Sequence, residues 1–573
     1  MTDPAPAAGG LVKKRRNTRW DDDPRPIIQH KIAIHCENQL DILKEEETYH
    51  REQVMLYNKV CEVKITEDGE YYLEGEFVEA RTGTAIDLVR SATEIIAVKV
   101  DKCLYDGSKI TTIRRDDGGA IKLATDYMLM WNFDYSHYKV LREALGRGIS
   151  NPSKPLVSVL LGQQDYNMPA QSPSTTAEPP PPGEEVVNKL TEEQRATVEA
   201  TFQQRVTLCD SGPGCGKTST GGATARQHVE AKKNVALIAK TNSAVNELAL
   251  RCKRVHGLPV VRIYSASVAE EMREDDLEDI AQRNGFDDIQ ILAATPVGFC
   301  KKALDNKIPR IDTVIFDEAN CLLQPEVSAV LRFVEEHAVF VGDLKQGKPF
   351  ALASKSKELG AEQSTFKCLQ DSGFRVHTLS WQFRMHPDIC KVPNQVLYQG
   401  RLKSGVTAEQ KASPFTWPHS VPVKMLDIVA QEMRRDFTHS VYNPTEAVEV
   451  AREVIKLLDL GVPLHKITCL AMYRAQIDEI SRFTRKNRRL AELNLCTVQS
   501  YQGKENDFII LSMVRSNIDD SAGICNDAQW ISVALTRARL GFILLCDQEM
   551  FMNAGPVWKE ALKSYTKLTQ SAS

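Results

Sequence analysis

"SGPGCGKTST", residues 211–220, follows the apolar run "QRVTLCD" at 204–210. A strand, a glycine-rich turn and a Lys-Thr pair opening a helix are the parts of a phosphate-binding loop. Backbone N–H groups converge on the anion, and the helix dipole favours its charge. In such a loop Lys217 would meet the β/γ oxygens of a nucleoside triphosphate and Thr218 would ligate Mg²⁺. Gly212, Gly214, Cys215, Gly216 and Ser219 complete the expected lining. The usual first glycine is replaced by Ser211. A serine held in a left-handed conformation there would cost on the order of 1 kcal/mol.

Two strings further on support this reading. "TVIFDEAN" (313–320) is an apolar run ending in two carboxylates. That places Asp317 and Glu318 at the C-terminal edge of a sheet, where open α/β sheets bind ligands. Asp317 is expected to hold the Mg²⁺ shell, and Glu318 to orient and activate an attacking water. "VFVGDLKQGKP" (339–349) ends near the same edge and offers Gln346 as a γ-phosphate sensor. "LTEEQ" (190–194) precedes the first strand and offers Gln194 to read the adenine edge. Phosphoryl transfer also needs cationic charge at the transferring group. Arg384 in "LSWQFRMHPDI" and Arg537 in "ISVALTRAR" are the candidate fingers. They reach the loop only if a second sheet faces the first across a cleft.

Texture along the chain suggests that arrangement. Buried-strand runs ("RVTLCD", "NVALIAK", "IQILAAT", "TVIFDEA", "AVFVGD") alternate with amphipathic stretches, and a second set follows ("KITCLAMY", "LNLCTVQS", "DFIILSMV", "GFILLCD"). Alternation of this kind marks parallel sheets covered by helices. The expected fold class is α/β with two tandem P-loop-type units, at 187–372 and 373–555, and a helix and tail at 556–573. Before them, residues 27–162 carry short alternating runs divided by "DG", "TG" and "DDGG". This pattern predicts a β-rich accessory domain. Residues 1–26 read as a disordered basic tail, and 163–186 as a Pro-rich linker.

Bulk properties narrow the function. The 573 residues exceed what one core holds. A net charge of -4 argues against coating nucleic acid by bulk charge, although 72 Lys and Arg leave room for a local basic channel. The 14 cysteines are scattered, which predicts reduced thiols, a cytoplasmic or nuclear setting and no zinc site. "KKRR" (13–16) reads either as a nuclear address or as a solvated tail. No apolar run is long enough to span a bilayer. No guanine-reading Asn-Lys-x-Asp follows the loop, which argues against a GTPase.

The ordered set "GPGCGKT", "DEAN", "VGDLKQ", "QFRMHP", "YQGKENDFIILSMVRS" and "VALTRAR" resembles superfamily 1 helicases, and within them the up-frameshift RNA helicases. The likeness covers roughly 187–565. It implies two RecA-like domains with ATP between them and single-stranded RNA, or DNA, across their top, with movement 5′ to 3′. Phe383 would then stack on adenine and Glu505 would meet the ribose. Gln346, Arg384 and Arg537 would contact the γ-phosphate. Thr241, Asn242, Thr295, Pro296, Tyr473, Gln476 and Thr497 would line the nucleic-acid track. Three further positions depart from the pattern: Lys240 replaces a proline, Gln499 an aspartate, and "AQWIS" (528–532) an arginine-rich stretch. These departures fall on coupling and nucleic-acid positions. They leave open an ATP-gated RNA-binding regulator with little unwinding, beside the helicase and a DNA-directed relative.

Overall fold

The computed structural model describes residues 37–49, a set of strands and one helix between 59 and 149, and residues 190–570 except 265–272, 284, 418–419 and 436–439. The expected tail at 1–26 and linker at 163–186 lie outside them.

Six antiparallel strands form a closed barrel: β1 (Lys59–Ile65), β2 (Tyr71–Glu74), β3 (Ala85–Ser91), β4 (Glu94–Cys103), β5 (Thr111–Arg114) and β6 (Tyr127–Trp131), in the order β1-β2-β5-β4-β3-β6. Closure leaves no unpaired edge. Two helices flank the barrel in sequence, at 37–49 and Ser136–Ile149. Leu43, Leu141 and Leu145 on them share a core with Phe299, Val327 and Leu331 of the following unit. Glu46 seals the junction, accepting the backbone N–H groups of Leu352 (3.0 Å) and Ala353 (2.9 Å) at the start of a short helix.

The first sheet is built from β7 (Val206–Ser211), β8 (Val235–Ala239), β9 (Val260–Arg262), β10 (Glu278–Asp279), β11 (Ile291–Ala294), β12 (Ile311–Asp317), β13 (Val334–Gly342) and β14 (Val376–Leu379). Their order is β10-β9-β11-β8-β12-β13-β7-β14, every pairing parallel. Strands β7, β8 and β11 are buried along their whole length, as expected when helices cover both faces. The edge strand β14 lies beyond the 372/373 boundary expected from sequence. Its short "VHTL" run carries little apolar signal of its own, and only pairing with β7 reveals it.

A short parallel pair, β15 (Trp381–Gln382) and β16 (Lys403–Ser404), leads to the second sheet. That sheet contains β17 (Val423–Asp427), β20 (Ile467–Ala471), β21 (Asn494–Thr497), β22 (Asn506–Ser512) and β23 (Ala538–Cys546), in the parallel order β17-β23-β22-β20-β21. A small antiparallel pair, β18 (Met433–Arg434) and β19 (Val441–Tyr442), sits beside it. The helix Pro556–Gln570 belongs to this unit: Trp558, Leu562 and Tyr565 are buried, and the Trp558 indole donates to the Cys525 carbonyl at 2.7 Å. One hydrophobic cluster runs from Cys209 and Val341 of the first sheet through Ile389 and Tyr398 to Leu470 and Phe542 of the second. Among the described residues no helix is long and apolar enough to cross a membrane.

Candidate nucleotide cleft

Strand β7 ends at Ser211 in extended backbone, and the turn that follows uses two left-handed glycines, Gly214 (φ 71°) and Gly216 (φ 84°). Ser211 is absent from the left-handed set, so the strain expected at that replacement does not arise. Its carbonyl accepts the Lys217 ammonium at 3.1 Å. Gly216 caps the helix Lys217–Glu230. That helix is rich in Thr, Gly and Ala, so packing rather than propensity holds it. Its Gly222 passes so close to His256 that a Cβ would lie 2.7 Å from Nε2.

The glycines also set how near the second unit comes. A Cβ on Gly214 would lie 2.5 Å from the Arg384 Cβ, and one on Gly212 would lie 2.4 Å from the Leu402 side chain. The Phe383 N–H donates to the Gly214 carbonyl at 2.9 Å. The Arg401 guanidinium pairs with Asp210 at 2.9 Å. The phosphate loop is thus clasped by the segment that carries "QFRMHP".

Between the two sheets lies a cleft of about 860 Å³. Gly212, Gly214, Gly216, Lys217, Thr218 and Ser219 line one wall, with Asp317, Glu318 and Gln346 beside them; Phe383, Arg384, Glu505 and Arg537 line the other. Sheet order explains the first grouping. Strands β12, β13 and β7 are consecutive neighbours and deliver Asp317, the Asp343–Gln346 loop and the phosphate loop to one edge. In the second unit Glu505 and Arg537 immediately precede β22 and β23.

Burial tunes the charges. Asp317 is raised above the usual carboxylate range by burial, which Lys217 opposes. Glu318 is pushed up to about 7 by burial and then by the Asp317 charge. It also holds a left-handed backbone (φ 48°), uncommon for a residue with a Cβ. Its carboxylate faces Gly503, where a Cβ would lie 3.2 Å from Oε1. Arg537 is 2% exposed. Its fork is pinned: Nε donates to the Val533 carbonyl (2.9 Å), Nη2 to the Thr536 hydroxyl (2.8 Å) and Nη1 to the Lys504 carbonyl (3.4 Å). Burial, then the Arg384 charge, lowers it to about 10, so it stays cationic at neutral pH. Arg384 pairs through Nε with Glu505 and donates Nη1 to the Thr536 carbonyl at 3.1 Å. Burial alone would raise Glu505, but that guanidinium holds it below the ordinary range.

Two residues expected in this cleft also have structural partners or burial in the loop. Gln194 lines it, yet its amide braces the loop: Oε1 accepts the Thr191 N–H (2.9 Å) and Nε2 donates to the Cys215 carbonyl (3.0 Å). The capping-box geometry of its helix fixes that orientation. The Cys215 side chain is buried. One cleft residue was missed from sequence. Glu247 hangs from the helix Asn242–His256 into the cleft, near Gly503, and is pushed up to about 7 by burial and by Asp317. It sits mid-helix in "AVNEL", where nothing but helical phase brings it there.

The residues expected along the nucleic-acid track follow a second line. Thr241 and Thr295 cap helices that begin just after β8 and β11, neighbouring strands on the far side of β12. Pro296 opens the second of these helices, and Asn242 accepts an Arg262 N–H at 2.8 Å. Tyr473 follows β20 and Thr497 ends β21, also neighbours. The Tyr473 hydroxyl accepts Arg515 Nη1 at 3.2 Å. Helix N-termini of this kind favour phosphate. The loop from Thr497 to Glu505 links this line to the cleft.

Gln476 does not join it. The residue is fully buried, its Oε1 accepting the Asn443 N–H (2.8 Å) and its Nε2 donating to the Ser512 hydroxyl (3.0 Å) and the Asn443 carbonyl (3.2 Å). Its amide is committed to the Asn443 backbone and the Ser512 hydroxyl inside the fold. The same network ends on Glu446, whose Oε2 accepts the Val514 N–H at 2.9 Å while Oε1 has no partner. Burial pushes Glu446 up to about 8. The folded state therefore keeps a proton that the unfolded chain releases near its ordinary value of 4.5. This contribution to stability is complete below that value and is lost as pH rises through about 8. Glu446→Gln, which mimics the protonated form, is expected to gain on wild type as pH rises from 5 to 8, by on the order of 1–3 kcal/mol. Thermal melts of both proteins across that range check it; a constant gap would contradict the assignment.

Among the described residues no three His, Cys, Asp or Glu side chains converge as a metal cage. Thr218 and Asp317 both line the cleft beside Lys217. One hydroxyl and one carboxylate suit a hard cation that keeps waters and shares phosphate oxygens, as Mg²⁺ does.

Comparison with known proteins agrees with this layout. Two family models described as AAA domain match residues 189–387 and 361–549. "Regulator of nonsense transcripts 1 homolog" of Arabidopsis thaliana is 28% identical over 429 residues, covering 66% of this chain and 34% of that one. "ATP-dependent helicase NAM7" of Saccharomyces cerevisiae is 28% identical over 407 residues, covering 62% of this chain and 41% of its own. These curated relatives carry the names of regulators of nonsense transcripts and of an ATP-dependent helicase. This chain spans about a third of the length of the Arabidopsis relative (34%). Its backbone also aligns with an arterivirus nonstructural protein 10 helicase at TM-score 0.38 and 13% identity, covering 86% of this chain and 77% of that one.

Proposed function

We propose that this chain is an ATP-dependent RNA helicase or translocase that hydrolyses ATP on single-stranded nucleic acid, moving 5′ to 3′. The observation that carries this reading is the cleft itself, in which Lys217, Asp317 and Glu318 face Arg384, Glu505 and Arg537. The loop N–H groups and Lys217 bind the β- and γ-phosphates. Thr218 and Asp317 would hold Mg²⁺, which when bound neutralises phosphate charge. Glu318 orients a water on the γ-phosphorus and accepts its proton, while the bond to the β–γ bridging oxygen breaks and ADP departs. Arg537 and Arg384 stabilise the charge that develops, Arg384 exchanging Glu505 and the Thr536 carbonyl for phosphate oxygens. Phe383, half-exposed over Gly405, is the face on which adenine stacks.

Thr241, Asn242, Thr295 and Pro296 on one sheet, and Tyr473 and Thr497 on the other, contact the nucleic-acid backbone. Closing the cleft on ATP shifts one set against the other and so gives a step. RNA is the first choice because the relatives' names point to transcripts, one of them an "ATP-dependent RNA helicase" of Saccharomyces cerevisiae. A second reading, ATP-gated binding with little unwinding, rests on Lys240: its ammonium is spent on Glu326 at 2.6 Å, beside Thr241. Steady-state ATP hydrolysis with no nucleic acid, single-stranded RNA or single-stranded DNA separates these. Stimulation by RNA with strand separation supports the proposal. Stimulation without strand separation supports the second reading, preference for DNA supports a DNA motor, and no hydrolysis in any arm overturns all three.

A further inference from the structure

Beneath the cleft lies a buried polar junction to which nothing above assigns a role. Tyr398, in the segment between the two sheets, is 1% exposed. Its hydroxyl donates to Asp343 Oδ2 at 2.8 Å, lies 2.8 Å from the Ser532 hydroxyl and accepts Gln346 Nε2 at 3.4 Å. A phenol has one proton and two lone pairs. With the proton on Asp343, Ser532 and Gln346 must both donate to it, and the oxygen is saturated. The other members are as buried: Asp343 1%, Gln346 5% and Ser532 0% exposed.

The junction continues to the arginine. The Ser532 carbonyl accepts the Thr536 hydroxyl at 2.7 Å, and that hydroxyl accepts Arg537 Nη2 at 2.8 Å. Hydrogen bonds therefore run from Gln346 on the first unit through Tyr398 to the Ser532 hydroxyl, and from the Ser532 carbonyl through Thr536 to Arg537 on the second, the two runs being joined covalently within Ser532. On the other side Asn320, which follows the Asp317–Glu318 pair closely, donates to the Gln346 carbonyl at 3.0 Å and the Gly347 carbonyl at 2.8 Å. Buried networks of this kind, fully satisfied, select one arrangement of their members.

We infer that Tyr398 is a positioning residue: its hydroxyl sets the γ-phosphate sensor Gln346 and the helix Ala528–Leu535, just before Arg537, in register, so that hydrolysis depends on both units being docked. This rests on the proposed ATP hydrolysis and specifies how its two halves are coupled. Tyr398→Phe deletes the hydroxyl and keeps the ring. Ser532→Ala breaks the Tyr398–Ser532 link from the other side while keeping the Ser532 carbonyl that Thr536 uses, and serves as well should the first variant fold poorly. Each is expected to lower RNA-stimulated kcat about ten- to a hundredfold while ATP affinity, read with a fluorescent analogue, stays within about twofold. The double variant is expected to lose little beyond the single ones, because one chain is already broken. Wild-type kcat in Tyr398→Phe, losses that multiply in the double variant, or a loss confined to ATP affinity would overturn the junction alone. A wild-type protein with no hydrolysis would instead overturn the proposed function and this coupling with it.

Discussion

Glu318→Gln is expected to lower RNA-stimulated ATP turnover about a thousandfold and leave ATP affinity within a few-fold. The argument is geometric and electrostatic. Glu318 stands at the end of β12, in a strained left-handed conformation that turns its carboxylate toward Gly503 across the cleft. Burial and Asp317 raise its proton affinity to about 7, near the value at which a general base works best at neutral pH. Glutamine preserves shape and the approach to Gly503 but accepts no proton. General bases contribute roughly 10²–10⁴-fold. Initial-rate hydrolysis at saturating ATP, beside equilibrium binding, checks the split between turnover and affinity. A Gln variant that turns over at a tenth of the wild-type rate or faster would remove Glu318 from the chemistry.

Arg537→Lys is expected to cost about 10²–10³-fold in turnover, although it conserves charge. An arginine finger is worth roughly 10³–10⁵-fold, and lysine recovers only the point-charge part. What it loses here is specific. All three nitrogens of Arg537 are tied down, to the Val533 carbonyl, the Thr536 hydroxyl and the Lys504 carbonyl. A flexible ammonium cannot make that planar set. Its head would wander in the cleft and face Glu318 without fixed direction. Rates of the variant at saturating ATP and RNA, compared with its melting temperature, test this. A variant that melts as wild type and hydrolyses as wild type would show that the guanidinium only supports the fold.

Much of the cleft is legible in the residues because its chemistry is local in sequence. The phosphate loop needs left-handed glycines at fixed offsets from a lysine, and Gly214 and Gly216 supply them. "TVIFDEAN" ends an apolar strand on carboxylates, and parallel pairing places such ends on one edge. The parts that sequence hides depend on phase, burial or distant pairing. Glu247 belongs to the cleft only through the rotation of its helix. Gln476 looks available in "AMYRAQ", but its helix turns it inward, where the Asn443 backbone and the Ser512 hydroxyl take its hydrogen bonds. Strand β14 is too short and too mixed to announce itself. Tyr398 reads as a core aromatic, and only the meeting of Asp343, Gln346 and Ser532 around its hydroxyl gives it another use. The flanking helices are held to the first unit by contacts hundreds of residues apart in the chain, such as the 306 between Glu46 and Leu352.

The central claim is that one triphosphate is gripped by both sheets at once. A crystal structure of the chain with ADP, tetrafluoroaluminate and Mg²⁺ tests it most directly. The account predicts fluorine atoms within hydrogen-bonding distance of Lys217 on one side and of the Arg384 and Arg537 guanidinium groups on the other. Nucleotide held by the first sheet alone, with Arg384 still bound to Glu505 and neither guanidinium near the nucleotide, would contradict it.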